Sequence, residues 1–366
     1  MKNKLIFPIG LSLISGVGPI TAKKLISYCG GVEAVFNEKR SNLLKIPQIG
    51  VKLADEISRQ SVLIRAEQEI NFMLKNGIDA TTYLDKNYPY RLKECIDTPI
   101  LLYSKGKVDW NQQKVISIVG TRSSTQQGKE ICKKLIHDLS EHNVLVVSGL
   151  AYGIDALAHK YSIKNNLSTV AVLAHGLDKI YPSSNYNLAK SMLESGGWIS
   201  EFISNTKLSR ENFVRRNRIV AGISDATVVV ESKQKGGAMI TAKLSNDYSR
   251  EVFAFPGRPN DECSMDCNHL IKTNQAHLCQ SVNDIAYHLN WNKNHSSNQI
   301  QMSLFNDEEQ LIIDLLKENS EMHVDNILSA TNFDYGKMAI LLTNLELKNV
   351  IYSKPGKVFC VKSNFN

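Results

Sequence analysis

The sequence contains no apolar run approaching the ~18 residues that cross a bilayer. A chain held in a membrane by helices is therefore not expected. No leader pattern of charged then apolar residues opens it. Its seven cysteines are odd in number and scattered from Cys29 to Cys360. Reduced thiols in a cytoplasmic protein fit that usage better than a disulfide framework. The G-x-x-x-x-G-K-[ST] phosphate loop is missing, and so is G-x-G-x-x-G at the first strand-to-helix turn. No acidic residue follows that turn at dinucleotide spacing. P-loop chemistry and NAD binding are thereby disfavoured. The absence of G-x-S-x-G removes the serine-hydrolase nucleophile elbow. Cys263-x-x-x-Cys267-x-His269 offers ligand-type residues without a second pair at metal spacing, so no metal site is expected. These patterns yield no catalytic residue and no cofactor.

What is present is ordinary in bulk. Apolar residues at 43% and charged residues at 22% describe a globular protein. The 366 residues allow two or three domains at roughly 100–200 residues each. A net charge of +7 and an isoelectric point near 8.9 lean mildly toward a polyanionic partner.

The stretch from Phe213 to Ala242 organises the chain. It opens with Arg215, Arg216 and Arg218 on a helical segment and continues through a β-branched run, Ala226 to Val230, that reads as a buried strand. It then turns through Lys235-Gly236-Gly237 into another helix. A strand ending in a glycine turn at a helix N-terminus offers free N–H groups to phosphate oxygens. Nearby arginines supply forked donors for the same charge. The plainer reading is an ordinary strand-to-helix turn beside a solvated basic helix.

Around it, residues 1–80 read as a helical module. Leu13 to Pro19 and Leu44 to Gly50 resemble the turns of helix-hairpin-helix units, with Gln48 at the second where glycine is usual. Neither hairpin carries a dense basic cluster, and a packing or protein-contact role fits equally well. Residues 81–110 read as an extended connector with Tyr-Pro and Thr-Pro breaks.

From residue 115 strand, turn and helix alternate. The expected strands are Val115–Val119, Val144–Ser148, Thr169–Ala174, Trp198–Ser200, Ala226–Glu231 and Val252–Phe255. Continuous apolar strands alternating with amphipathic helices predict a doubly wound, mostly parallel, Rossmann-like sheet. Ligands of such sheets bind beyond the strand carboxyl ends. Three turns fall there: Gly120 to Ser123, Ser148 to Gly153, and Gly236-Gly237. Asp155 and His159 lie one helical turn apart. A dipole-favoured aspartate beside a polar histidine is the preferred reading over an acid–base pair. Residues 290–302 read as a polar linker. Residues 303–366 follow a winged-helix plan of three helices and a hairpin. Lys337 and Lys348 against Glu346 make a poor DNA-reading helix, which favours a protein-contact or auxiliary role.

The central motifs together resemble the DNA-processing protein A (DprA/Smf) family. They are Ile118 to Arg122, Ser148 to Asp155, Tyr181-Pro182, Ser200-Glu201-Phe202, Arg216 to Ser224, Gly236 to Ala242 and Pro256-Gly257. They cover roughly residues 80–285 of the Rossmann-like segment 81–289. Cys267 stands where the family tends to have glycine, before Asn268.

The resemblance implies a non-enzymatic recombination mediator. Such a protein binds single-stranded DNA, protects incoming strands, dimerises and loads the RecA recombinase, notably in natural transformation. By motif match, Arg122 would contact backbone phosphate, Arg210 would be a second cation, and Phe213 would stack on a base. Asn217 and the Gly236-Gly237 turn would complete the pocket. Arg216, Arg218, Gly149 and Thr241 belong to the same expected DNA-binding set, with a structural alternative for Arg218, which inside an apolar helix face could cap carboxylates within the fold. Sequence-tolerant binding does need cations for the backbone and an aromatic for bases. The rival is a LOG-type nucleotide phosphoribohydrolase. The family glutamate of its Gly-Gly-x-Gly-Thr-x-x-Glu signature is replaced here by Lys243, which argues against hydrolysis. A nucleotide-signal sensor using the same cleft is a third reading.

Overall fold

The computed structural model describes residues 2–234, 236–291, 305–319, 321–331, 333–348, 350–354 and 356–362. The chain divides into two compact units, one reaching Leu289 and one starting at Asn290. From residue 292 on, the expected linker lies outside the described residues.

The first unit is built on a nine-stranded sheet. Its strands are β1 (Asp79–Thr82), β2 (Leu101–Gly106), β3 (Val115–Val119), β4 (Leu145–Ser148) and β5 (Thr169–Val172). They continue with β6 (Gly197–Ser200), β7 (Ala226–Val229), β8 (Glu251–Ala254) and β9 (His277–Leu278). The spatial order is β1-β2-β6-β5-β4-β3-β7-β8-β9. From β6 to β9 every neighbouring pair is parallel. β1, β2 and β6 pair antiparallel. The expected α/β class with a mostly parallel sheet is what the chain forms.

β3 is buried at all five positions, as a central parallel strand covered on both faces must be. Strand periodicity sorts the core. Val170 and Val172 join one hydrophobic cluster, while Ala171 and Leu173 join the other. The second cluster includes Ile9, Leu25 and Ile57 of the N-terminal helices, which therefore close one face of the sheet. Glu69, on the helix Val62–Asn76, adds a polar tie. Its buried carboxylate accepts from Ser204 N at 2.9 Å and Ser204 Oγ at 2.5 Å.

Several expectations are corrected. The segment 81–110 is more than an extended connector. It supplies β2, and Tyr90–Lys93 forms a helical turn. That turn buries Arg91, whose Nε donates to Asp225 Oδ1 at 2.5 Å. β5 and β7 end two residues earlier than expected, because Leu173, Ala174 and Val230 stay buried past the last ladder pair. Apolar periodicity reads burial and not pairing. The short edge strand β9 has no comparable apolar run and was missed.

Gln48 does not alter its hairpin. Its φ of 71° repeats the left-handed turn of Gly16, at 85°. Its Oε1 accepts from Lys24 Nζ at 2.6 Å. Helices Pro19–Cys29 and Val51–Arg59 follow these turns.

The second unit packs helices Asp307–Asn319, Val324–Thr331 and Tyr335–Leu347 on a small antiparallel sheet. The sheet contains β10 (Glu321–His323), β11 (Ile351–Lys354) and β12 (Val358–Val361), with β12 central. β10 was not expected. Lys337 and Lys348 of the third helix pair with Glu308 at 2.5 Å and Glu309 at 2.7 Å. Those carboxylates largely neutralise the helix.

Candidate nucleic-acid interface

The strand order reverses at β3. The chain runs outward through β4, β5 and β6, then crosses to the other side of β3 for β7. Turns leaving β3 and β7 therefore diverge and open a crevice at the strand carboxyl ends. A cleft of about 670 Å³ lies there. Arg122, Gly149, Arg210, Phe213 and Arg216 line it. So do Asn217, Gly236, Gly237 and Thr241.

The turn after β3 is held tightly. Thr121 N donates to Glu231 O at 2.7 Å. A Cβ on Gly120 would stand 2.5 Å from Ile154 Cγ1, so no side chain fits there. Thr125 caps the following helix through Gly128 N, and its own N–H goes to Glu231 Oε2 at 3.0 Å. This scaffold leaves Arg122 exposed at the cleft.

The turn after β4 is organised by charge. Asp155 accepts from Gly149 N at 3.1 Å and from Ala151 N at 3.4 Å. Arg216, 5% exposed, donates to Gly149 O at 2.6 Å and also to Val172 O. A Cβ on Gly149 would meet its guanidinium at 2.4 Å. Burial lowers the Arg216 guanidinium to about 10, with Asp155 opposing that fall. Burial likewise pushes the Asp155 carboxyl up, against the pull of Arg216 and the two amide donors. His159 turns to Thr169 Oγ1 at 2.7 Å, and burial holds it neutral, near 3. Asp155 and His159 thus serve separate parts of the scaffold.

The third turn leads into the helix Gly237–Asp247, whose start has no side-chain cap. Its first N–H groups keep no intrahelical partner and suit an anion. Asp266, from the helix Met265–Lys272, shapes this turn. It accepts from Ser232 Oγ at 2.8 Å and Gly236 N at 3.1 Å. Space beside Gly237 is open. Lys243 is exposed and does not line the cleft.

The fourth wall is the helix Arg210–Gly222, capped by Ser209. Phe213 is half-buried. Arg122 Cζ sits 5.8 Å from its ring centroid, and the Tyr181 ring packs edge-on at 5.6 Å. Asn217 Oδ1 accepts from Arg216 Nε at 3.2 Å.

Two arginines depart from expectation. Arg218 does not line the cleft. It is 6% exposed, pairs with Glu201 Oε2 at 2.5 Å and donates to Asp97 O. Arg215 joins the same carboxylate at 2.7 Å. Arg216 does reach the cleft wall, but as a buried brace. The exposed cations that line the cleft are Arg210, Arg122 and Lys233. Sequence reading had passed over Lys233. Tyr181 was in hand as the Tyr181-Pro182 motif without a role. Among the described lining residues the one carboxylate is Asp155, and it is buried. Among the described residues no group of three or more His, Cys, Asp or Glu is placed to hold a metal. No helix among them is long and apolar enough to cross a membrane.

Fold and cleft together define an open α/β protein with a basic, glycine-turned ligand site at its switch point. Within that class the chain belongs to the DNA recombination-mediator protein A family, whose model matches residues 79–290. Protein Smf of Synechocystis sp. is 34% identical over 278 residues, spanning 75% of this chain and 70% of that protein. DNA processing protein DprA of Bacillus subtilis is 39% identical over 184 residues, 50% of this chain and 62% of that protein. The X-ray structure of DNA processing protein A from Streptococcus pneumoniae matches with a TM-score of 0.63 at 29% identity. It covers 77% of this chain and 96% of that one. The Helicobacter pylori protein, whose structure concerns its single-stranded DNA binding mode, matches with a TM-score of 0.53 at 25% identity. There the coverage is 58% of this chain and 95% of that one.

Proposed function

We propose that this chain binds single-stranded DNA in the cleft and serves recombination by delivering the strand, without breaking a bond. The observation that carries the reading is the half-buried Phe213 ring, set between Arg122 and Tyr181 at the mouth of two glycine turns. An aromatic platform amid cations is what sequence-tolerant strand binding requires. The single-stranded DNA binding of the Helicobacter pylori relative supports it.

The wider proposal follows the family. The protein is a cytoplasmic homodimer that protects incoming strands and loads the RecA recombinase in natural transformation. Residues 1–80 act as a helix-hairpin-helix or SAM-like module, 81–289 as the core, and 303–366 as a winged helix with an auxiliary role. The cleft volume also falls within the range of small-molecule sites, which makes a nucleotide-signal sensor the second reading. Ribohydrolysis is disfavoured by the exposed Lys243. Gel shifts with a single-stranded oligomer, a duplex and a mononucleotide test the reading. Preference for the oligomer, with affinity falling steeply as salt rises, is expected. Preference for the mononucleotide would select the sensor.

A further inference from the structure

Three tyrosines stand exposed on two segments beside the cleft. Tyr181 is 41% exposed, Tyr152 49% and Tyr186 57%. The first packs on Phe213. The other two are carried by segments pinned together. Asn185 Nδ2 donates to Leu150 O at 3.0 Å and to Ala151 O at 3.5 Å. Tyr152 follows directly on Ala151, and Tyr186 follows directly on Asn185.

The turn that presents Tyr152 is rigidly built. Leu150 takes a φ of +58° while fully buried, and Gly153 takes +74°. A Cβ on Gly153 would stand 2.2 Å from Thr121 O. Non-glycine residues at positive φ persist only where the surroundings over-determine them. A scaffold this constrained nevertheless leaves a large aromatic ring in water. Neither Tyr152 nor Tyr186 lines the cleft itself.

We infer that Tyr152 and Tyr186 extend the Phe213–Tyr181 platform into a stacking row for bases of a strand longer than the cleft holds. The ligand class is single-stranded nucleic acid, and the inference rests on the function proposed above. Phe213 anchors the base inside the cleft. The outer tyrosines take bases further along, where stacking is indifferent to sequence because every base has a π-face.

The test uses the full chain and fluorescence anisotropy with labelled oligothymidylates of about 6 and about 20 nucleotides, bracketing usual site sizes. Combining Tyr152→Ala with Tyr186→Ala should weaken the longer oligomer about tenfold or more. It should leave the shorter one within about twofold, with the salt slope unchanged because no phosphate contact is lost. Tyr152→Phe with Tyr186→Phe should restore wild-type affinity, since the ring is what binds. Equal affinity of the alanine variant and wild type for the longer oligomer would overturn the row. So would a parallel loss for the shorter oligomer, or failure of the phenylalanine variant to restore. If the wild type binds neither oligomer, the proposed function fails and the row falls with it.

Discussion

The helix Arg210–Gly222 carries four arginines on two faces that the structure treats oppositely. On the cleft side Arg210 remains exposed near Phe213. On the other side Arg215 and Arg218 converge on the single carboxylate of Glu201. Arg216 lies between, buried against Gly149 and Val172 carbonyls. The same residue type stays exposed at the cleft at one position and is tied to the scaffold at the others. Charge counted along a sequence therefore overstates charge available to a ligand. What decides is which side of the helix meets a carbonyl or carboxylate of the fold.

The sharpest break of this comparison removes the buried brace. Arg216→Ala removes the buried charge near Asp155 and the guanidinium donor to the Gly149 and Val172 carbonyls. Each hydrogen bond from a charged group is worth about 1.5–3 kcal/mol. Denaturant unfolding should show that loss, and any strand affinity that remains should keep the wild-type salt slope. A variant as stable as wild type, with a shallower slope, would make Arg216 a phosphate ligand after all.

A pH titration probes the same brace from its other neighbour. Burial first, and the Arg216 charge second, hold His159 at about 3 in the folded chain. The unfolded value is about 6.5. The unfolded chain therefore binds the extra proton. His159 contributes stability that is fully present above about pH 6.5 and is lost as pH falls toward 3. At pH 5 the loss is about 2 kcal/mol from this one group. In His159→Gln, stability measured by denaturant should fall less steeply over pH 6.5 to about 4. An unchanged profile would show that His159 is solvated.

The open side of the comparison is read by binding. Phe213→Ala should weaken a single strand by about 1–3 kcal/mol, the usual worth of one stacked base, without altering the salt slope. Phe213 is half-buried and stands outside the core clusters. Its truncation should cost clearly less stability than the roughly 3–5 kcal/mol of a core phenylalanine. Thermal melting of the variant checks this. A large drop in melting temperature would place Phe213 with the scaffold.

Legibility of the sequence followed the same division. β3 was readable residue for residue, because a strand buried on both faces writes itself as an apolar β-branched run, interrupted here by Ser117, whose Oγ lies 2.6 Å from Thr227 Oγ1. The three turns were readable from their glycines, two of which leave no room for a Cβ, Gly120 against the Ile154 side chain and Gly153 against Thr121 O. β2 was readable only as an extended segment, because its partner β6 lies far along the chain and Pro99 stands two residues before it. The fate of Arg216 was equally hidden, whereas Arg218, on an apolar helix face, was readable as a candidate cap for carboxylates of the fold. Gly149, Val172, Asp97 and Glu201 are distant in sequence, and no local pattern says which arginine they will meet. Asp266, which shapes the Gly236 turn, left no signal at all beyond its place before Cys267.

The smallest expected effect tests whether ionic and stacking contacts in the cleft are independent. Arg122→Ala should weaken binding and lower the salt slope by about 0.7, one phosphate contact on a single strand. Yet Arg122 lies over the Phe213 ring, so each side chain orients the other. Removing the ring frees the guanidinium to wander, and removing the guanidinium uncovers the ring. The two single losses should therefore exceed the loss in the double variant by about 0.5–1 kcal/mol, the scale of an exposed cation–π contact. Arg122→Lys separates the causes. It keeps the charge, so the salt slope should hold, while the guanidinium facing the Phe213 ring is lost and the coupling should shrink. Anisotropy titrations at two salt concentrations of wild type, Phe213→Ala, and each Arg122 variant with and without Phe213→Ala decide it. Strict additivity would show that the contact seen in the free chain has no share in holding the strand.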